Sequence, residues 1–213
     1  MGEILQPRQK QYLEKFNKEE DPLILEMESY AKKFRVPILS GDSAGFLEQL
    51  ILVKKPKRVL EIGTAIAYSS IRIARNLGAG CTIDTLEKSK DNAKLAEVNI
   101  LRSGLHDKIN LIFGEAIETI PEIKYNYDFI FLDADKEDYR ELFEIAIKKL
   151  KKGGVMFVDN LLWHGYAALG RVPAKQKTST NHIRNFNEMF TSSLLLKSTI
   201  LPVGDGVGIG IKI

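Results

Sequence analysis

From about residue 43 to residue 158 the chain alternates short apolar runs with stretches whose apolar residues recur at helical spacing, and this alternation restricts the fold most. Runs at 58–62, 81–86, 109–113, 128–132 and 154–158 are rich in apolar and β-branched residues, as buried strands are. The segments at 68–77, 90–103 and 137–150 are long enough to be crossover helices, so successive strands run parallel in an α/β sheet. Gly78, Gly104 and Gly153-Gly154 follow those helices as stop signals. Upstream, 23–34 and 44–53 have amphipathic spacing and would cover the sheet or a partner subunit. Downstream, a helix around 181–190 precedes apolar runs at 194–203 and 207–213. Gly204-Asp205-Gly206 between those runs has hairpin chemistry, so the sheet is expected to end in an antiparallel hairpin.

No Ser/Gly/Pro-rich linker divides the 213 residues, and 44% hydrophobic content suffices for one core, so one domain over 1–213 is expected. No apolar run approaches the ~20 residues that span a bilayer. The first 20 residues are polar and lack a signal-peptide core, which predicts a soluble, cytoplasmic protein without membrane partners. The single cysteine, Cys81, cannot close an internal disulfide and is expected as a small core residue in its strand. A net charge of +3 does not by itself mark a nucleic-acid binder. Lys54, Lys55, Lys57 and Arg58 precede a strand and are expected as solvated lysines and arginine. Arg171, Lys175 and Lys177 follow the strand ends that carry the chemistry and could instead meet a ligand.

Those ends are the informative ones. Phe129 to Leu132 runs directly into Asp133, and Val155 to Val158 runs directly into Asp159-Asn160, at the edge where open α/β sheets bind ligands. Three hard oxygen donors without Cys or His suit Mg²⁺ or a similar divalent cation that keeps positions open for water and a substrate oxygen. The first strand leads through Gly63 to a helix N-terminus at Tyr68-Ser69-Ser70, an anion-attracting arrangement. One glycine in place of three argues against a dinucleotide pyrophosphate and for a smaller anion such as an amino-acid carboxylate, with the Ser69 hydroxyl as donor. Glu87 follows the second strand, where an acid accepts from ribose hydroxyls, and Gly114-Glu115-Ala116 follows the third, where it can line an adenine pocket. Carboxylate, ribose and adenine together indicate S-adenosylmethionine.

The order Val59-Leu60-Glu61-Ile62-Gly63-Thr64, Tyr68-Ser69, Glu87, Gly114-Glu115-Ala116, Leu132-Asp133-Ala134-Asp135-Lys136 and Asp159-Asn160 resembles the cation-dependent class I O-methyltransferases related to catechol and caffeoyl-CoA methyltransferases. That resemblance implies a Rossmann-like fold with a mostly parallel seven-stranded sheet and helices on both faces. It also implies that Asp133, Asp159 and Asn160 hold the metal and that Lys136, with Asp133, acts on the substrate hydroxyl. Leu39, Glu61, Gly63, Ser69, Glu87, Glu115, Ala116 and Asp133 would surround the cofactor. The chain departs from the family at Ala67, where glycine is usual. Tyr30-Ala31, Val36-Pro37-Ile38-Leu39 and Leu201-Pro202-Val203-Gly204-Asp205-Gly206 look most like bacterial tRNA 5-hydroxyuridine methyltransferases, which implies an anticodon loop as substrate. Under that resemblance Arg171, Lys175 and Lys177 would meet RNA phosphates and Trp163 would stack on the substrate, with Tyr166 and His164 nearby. The alternatives are a small catechol or phenol on the same scaffold, or a nucleotide-binding regulatory domain without catalysis. Family members commonly pair, which implies a homodimer.

Overall fold

The structure is a computed structural model that describes residues 6–213. Five parallel strands, β1 (Arg58–Ile62), β2 (Thr82–Glu87), β3 (Ile109–Phe113), β4 (Tyr127–Leu132) and β5 (Leu150–Val158), are extended by β6 (Leu196–Leu201) and β7 (Val207–Lys212). The order across the sheet is β3-β2-β1-β4-β5-β7-β6, with β7 antiparallel to both β5 and β6. Strand order reverses between β1 and β4, and that crevice at the C-terminal edge is the ligand site of such sheets. The α/β fold with its C-terminal antiparallel hairpin agrees with the sequence expectation.

Among the described residues eight helices connect or cover the strands: α1 (Pro7–Leu13), α2 (Pro22–Phe34), α3 (Gly41–Lys54), α4 (Tyr68–Arg75), α5 (Lys90–Ser103), α6 (Ala116–Glu122), α7 (Tyr139–Lys149) and α8 (Lys177–Ser192). Their starts follow local chemistry. The Asp21 side chain accepts from Leu23 N at 2.8 Å with Pro22 next, and Ser40 and Ser89 accept from Ser43 N and Asn92 N. On one sheet face Ile24, Met27, Leu47 and Ile51 pack with Phe129, Phe131 and Phe157. On the other, Phe143, Phe186 and Phe190 pack over Leu60, Ile130 and Met156. Burial of each such ring contributes about 2–3 kcal/mol before entropy is counted. Arg72 and Arg75 of α4 bond Glu48 of α3 and Glu19, while the Tyr68 hydroxyl donates to Glu28 of α2 at 2.7 Å. The N-terminal helices are thereby fixed on the helix that begins at the candidate cofactor loop. None of the described helices is long and apolar enough to cross a membrane.

Three expectations need correction. Cys81 lies one residue before β2, half-buried at the margin of the core. Gly153-Gly154 does not stop α7, because β5 begins at Leu150 directly after Lys149. Register moves from Tyr127↔Leu150 to Phe129↔Val155, so 151–154 bulges opposite Asp128. Gly153 has φ +72°, and a Cβ on Gly154 would lie 2.6 Å from Leu150 Cδ1, so the bulge is what needs glycine. Gly78 is not the end of α4 either, since Asn76 is its C-cap. Helices α1 and α6, and 3₁₀ turns at Tyr166–Ala168 and Ala174–Gln176, were not expected. Short length, and Pro121 inside α6, hide the helical period.

Candidate active site

A cleft of about 990 Å³ opens at the C-terminal edge of the sheet. It is lined by Leu39, Gly63, Ser69, Glu87, Glu115, Ala116, Asp133, Lys136, Asn160 and Trp163, which joins most of the residues singled out from the sequence. Glu61 and Asp159 lie behind this wall, 0% and 3% exposed. Arg171, Lys175 and Lys177 are exposed and do not line the cleft. Tyr166 is half-buried in its 3₁₀ turn and does not line the cleft either, whereas His164 does.

The side that is a candidate for the cofactor is built from strand ends. Gly63 N and Thr64 N both donate to Leu86 O at 3.1 Å, which draws the loop after β1 against β2. Glu87 is the last residue of β2, not the one after it, and its carboxylate accepts from Ala65 N at 2.7 Å and Ser89 N at 2.8 Å. Two backbone N–H groups thus hold it at the wall where ribose hydroxyls would reach it. Ala65 and Ala67 take positive φ, 48° and 67°, in the region that glycine occupies at least cost. Ala67 is fully buried, so its methyl group fills space that glycine would leave open.

On the opposite side β4 and β5 deliver the oxygen donors. Lys136 Nζ donates to Asp133 Oδ1 and Ala134 O, both at 3.0 Å, and to the Tyr139 hydroxyl at 2.7 Å. Tyr139 Oη donates in turn to Asp159 O at 3.1 Å, tying the two strand ends together. Asp159 Oδ2 accepts from Asn160 Nδ2 at 3.1 Å, and Asn160 takes a positive φ of 63°. Burial and then the neighbouring Asp133 carboxylate push Asp159 above the usual carboxylate range. Burial and Asp133 likewise raise the Tyr139 phenol. Among the described residues no three acidic, imidazole or thiol side chains cluster to hold a metal. The candidate set is two carboxylates and an amide oxygen, donors that suit a hard cation with open positions.

Two participants had no clear signal in sequence. Tyr139 reads as a core aromatic of α7, and only the fold puts its hydroxyl between Lys136 and Asp159. Asp205, in the hairpin turn, accepts from His164 N at 2.7 Å, while Leu162 N and Leu161 N donate to Asp205 O and Gly206 O. The turn therefore holds the loop after Asn160. Trp163 and His164 in that loop have φ of 49° and 54°, strain maintained by these contacts. Arg184 fixes the following segment by donating to Ala167 O and Tyr166 O.

Glu61 gives a testable pH dependence. Its Oε2 accepts from Ser70 and from Thr85, and its Oε1 has no hydrogen-bond partner among the described residues. Burial raises its pKa from 4.5 to about 7, the neighbouring hydroxyls oppose the rise, and Asp133 adds to it. A raised acid stabilises the fold through its proton, so this contribution is complete below the unfolded value of 4.5 and is lost as pH climbs through about 7. Glu61→Gln, which keeps the shape without the ionisation, should be more stable than wild type at pH 8 by a margin that shrinks toward pH 4.5. A difference on the order of 3 kcal/mol at pH 8 follows from about 1.4 kcal/mol per unit. Thermal midpoints of both proteins across this range check it; parallel curves reject a raised Glu61.

Comparisons with known proteins identify the family. The family model for O-methyltransferases matches residues 14–213. A caffeoyl-CoA O-methyltransferase from Populus kitakamiensis is 32% identical over 78% of this chain and 74% of its own length. A catechol O-methyltransferase from Niastella koreensis is 31% identical over 87% of this chain and 85% of its own. The crystal structure of an O-methyltransferase from Bacillus cereus in complex with SAH is 28% identical, with a TM-score of 0.83 over 95% of this chain and 96% of that one. The chain therefore belongs to the O-methyltransferase family of the class I caffeoyl-CoA and catechol type, and is an enzyme that takes its methyl group from S-adenosylmethionine.

Proposed function

We propose that the enzyme methylates the C5 oxygen of 5-hydroxyuridine in the anticodon loop of tRNA, giving 5-methoxyuridine, with a Mg²⁺-like cation held by Asp133, Asp159 and Asn160. The observation that carries the metal-assisted part is the pair of carboxylates brought together by β4 and β5, Asp133 in the cleft wall and Asp159 directly behind it. Asp159 is buried beside Asp133 at an electrostatic cost that a bound cation would relieve. A divalent cation held there would lower the pKa of a hydroxyl and orient it. S-adenosylmethionine supplies the electrophilic methyl group, which requires an acceptor oxygen about 3–3.5 Å away and in line with the departing sulfur.

The protein's own groups do the positioning. Lys136 Nζ, held between Asp133 and Tyr139, is the atom available to exchange a proton with a substrate hydroxyl. Glu87 and Ser69 face the cleft from the side proposed for the cofactor, and Leu39, Leu142 and Trp163 add apolar surface to its wall. A volume near the upper end of ligand cavities leaves room for the cofactor and a flat base together. The C5 oxygen and adjacent O4 of 5-hydroxyuridine form a chelating pair like that of a catechol. A wobble base is already unpaired and can enter without breaking a duplex. Arg171, Lys175 and Lys177, exposed on the segment beyond the Trp163 loop, are available to flanking phosphates.

The catechol relative favours a second reading, a small dihydroxy-aromatic substrate at the same metal. Purified protein, Mg²⁺ and cofactor would be incubated with tRNA bearing 5-hydroxyuridine or with 3,4-dihydroxybenzoate. The expected result is a one-methyl mass gain on the tRNA nucleoside that a chelator abolishes. Turnover of the catechol with the tRNA untouched would reject the RNA substrate, and turnover that survives chelation would reject the metal.

A further inference from the structure

The connections at the other end of the sheet, where β1 to β5 begin, are 54–58, 76–82, 103–109, 122–128 and 148–154, joined by 192–197 and 211–213 from the hairpin side. Together they hold twelve of the chain's 31 basic residues and three of its 28 acidic ones. A net charge of +3 therefore conceals a polar molecule, basic at this end and acidic elsewhere. Part of the excess has a structural use, because helix C-termini gather here and carry partial negative charge. Lys108 Nζ donates to Ala74 O and Leu77 O, Lys149 Nζ to Pro121 O, and Lys212 Nζ to Ile147 O and Leu150 O.

That use leaves Lys55, Lys57, Lys124, Lys148 and Lys152, all exposed and none with an ion-pair partner among the described residues. Their elements form one surface. Asp128 accepts from the backbone of Lys57 and Arg58 and pairs with Lys151 at 2.8 Å, joining the starts of β1, β4 and β5. The Arg58 guanidinium lies over the Tyr125 ring at 4.2 Å, with that ring 37% exposed. Next to it a hollow of about 330 Å³ is lined by Pro121, Asn126, Ile145, Lys148 and Lys149.

We infer that this basic face is a second docking surface, for the phosphate backbone of an RNA. Unpaired cations spread over three strand ends match a polyanion, and symmetric pairing with a second copy would set like charges against each other. The Arg58–Tyr125 stack and the hollow beside it suit an RNA with an unstacked base. Strands of this length rise about 20 Å, so a folded tRNA is long enough to reach both this face and the cleft. The inference rests on the proposed tRNA substrate for naming the RNA. Val53, 80% exposed beside Lys55, is what an anionic membrane would use, so vesicles form the control arm.

The test is a variant carrying Lys57→Glu, Lys124→Glu, Lys148→Glu and Lys152→Glu, with binding of an unmodified tRNA transcript followed by fluorescence anisotropy in the full-length protein. Affinity should fall about tenfold or more, and the slope of log K against log salt between about 50 and 200 mM should flatten by roughly 3. Thermal midpoint and S-adenosylmethionine affinity should stay at wild-type values. If the glutamates unfold the chain, Lys57→Ser, Lys124→Ser, Lys148→Ser and Lys152→Ser read the same slope. Unchanged transcript affinity and slope overturn the inference, as does wild-type binding to phosphatidylglycerol vesicles that the variant loses while still holding the transcript. Loss of transcript binding in the variant, with no methylation of 5-hydroxyuridine by wild type, would retain this surface and remove the proposed substrate instead.

Discussion

Asp133→Ala is expected to lower methyl transfer by roughly a thousandfold or more, a loss of the size that follows when a metal-activated nucleophile is removed, while the fold survives. The backbone of Asp133 is what the sheet uses. Its N–H donates to Ile62 O at 3.0 Å, and neither that bond nor the Gly63 contact needs the side chain. The carboxylate instead faces the cleft, 25% exposed, and accepts from Lys136. Removing it takes away one of the two carboxylates proposed for the cation and frees Lys136 from its counter-charge. It also removes a like charge from Asp159, so stability should hold or rise slightly. Asp133→Asn separates the two functions, because an amide keeps a hydrogen-bond acceptor for Lys136 but is a weaker ligand for a hard cation. Radiolabelled methyl transfer, calorimetric titration with Mg²⁺ and thermal melting measure the three consequences. Turnover and metal affinity within about tenfold of wild type for Asp133→Ala would remove this residue from the chemistry.

Why Asp133 could be found from sequence, and Tyr139 or Asp205 could not, follows from how each is positioned. Asp133 and Asp159 each terminate an uninterrupted apolar run, so strand periodicity alone predicts where their side chains emerge. Glu87 ends, and Glu115 follows at two residues, strand-like runs that Asp84 and Asn110 interrupt. Tyr139 reaches the site through the pitch of α7, and Asp205 through the antiparallel return of β7 beside β5, neither of which local spacing encodes. Glu61 alternates with Leu60 and Ile62 along β1, a pattern that does not distinguish a buried carboxylate from an exposed one. The same limit hides the basic face. Lys57 and Lys152 are far apart in sequence, and only the parallel register of β1, β4 and β5 brings them to the same end of the sheet. Arg171, Lys175 and Lys177 were conspicuous as a cluster, yet the segment that carries them runs outside the cleft wall.

Gly63→Ala should be the most damaging single methyl group that can be added to the loop after β1, the one proposed to hold the cofactor. Gly63 has φ +104°, outside the conformations of an L-residue, and an added Cβ would stand 1.9 Å from Asp133 O and 2.9 Å from Asp133 C. No side chain can turn away to accommodate it, since the obstacle is backbone. The strands cannot part cheaply either: Ile62 pairs with Leu132, Asp133 N is bonded to Ile62 O, and Gly63 N to Leu86 O. Relief requires breaking the β1–β4 junction where the two halves of the cleft meet, at a cost of about 4 kcal/mol or more. For a chain of this size that lowers the thermal midpoint on the order of 10 °C. The loop and Asp133 would be displaced together, so cofactor affinity should fall by about a hundredfold or more even where the protein remains folded. Gly45→Ala supplies the contrast, because Gly45 lies within α3 and an added Cβ there meets nothing within 4 Å, so it should be neutral or stabilise by about 0.5–1 kcal/mol through helix propensity. Melting curves and calorimetry with S-adenosylmethionine on both variants decide the matter. If Gly63→Ala melts and binds like Gly45→Ala, the close approach of the β1 loop to Asp133 is not a feature of the folded protein, and the convergence of the residues proposed for cofactor and metal on one cleft loses its geometric basis.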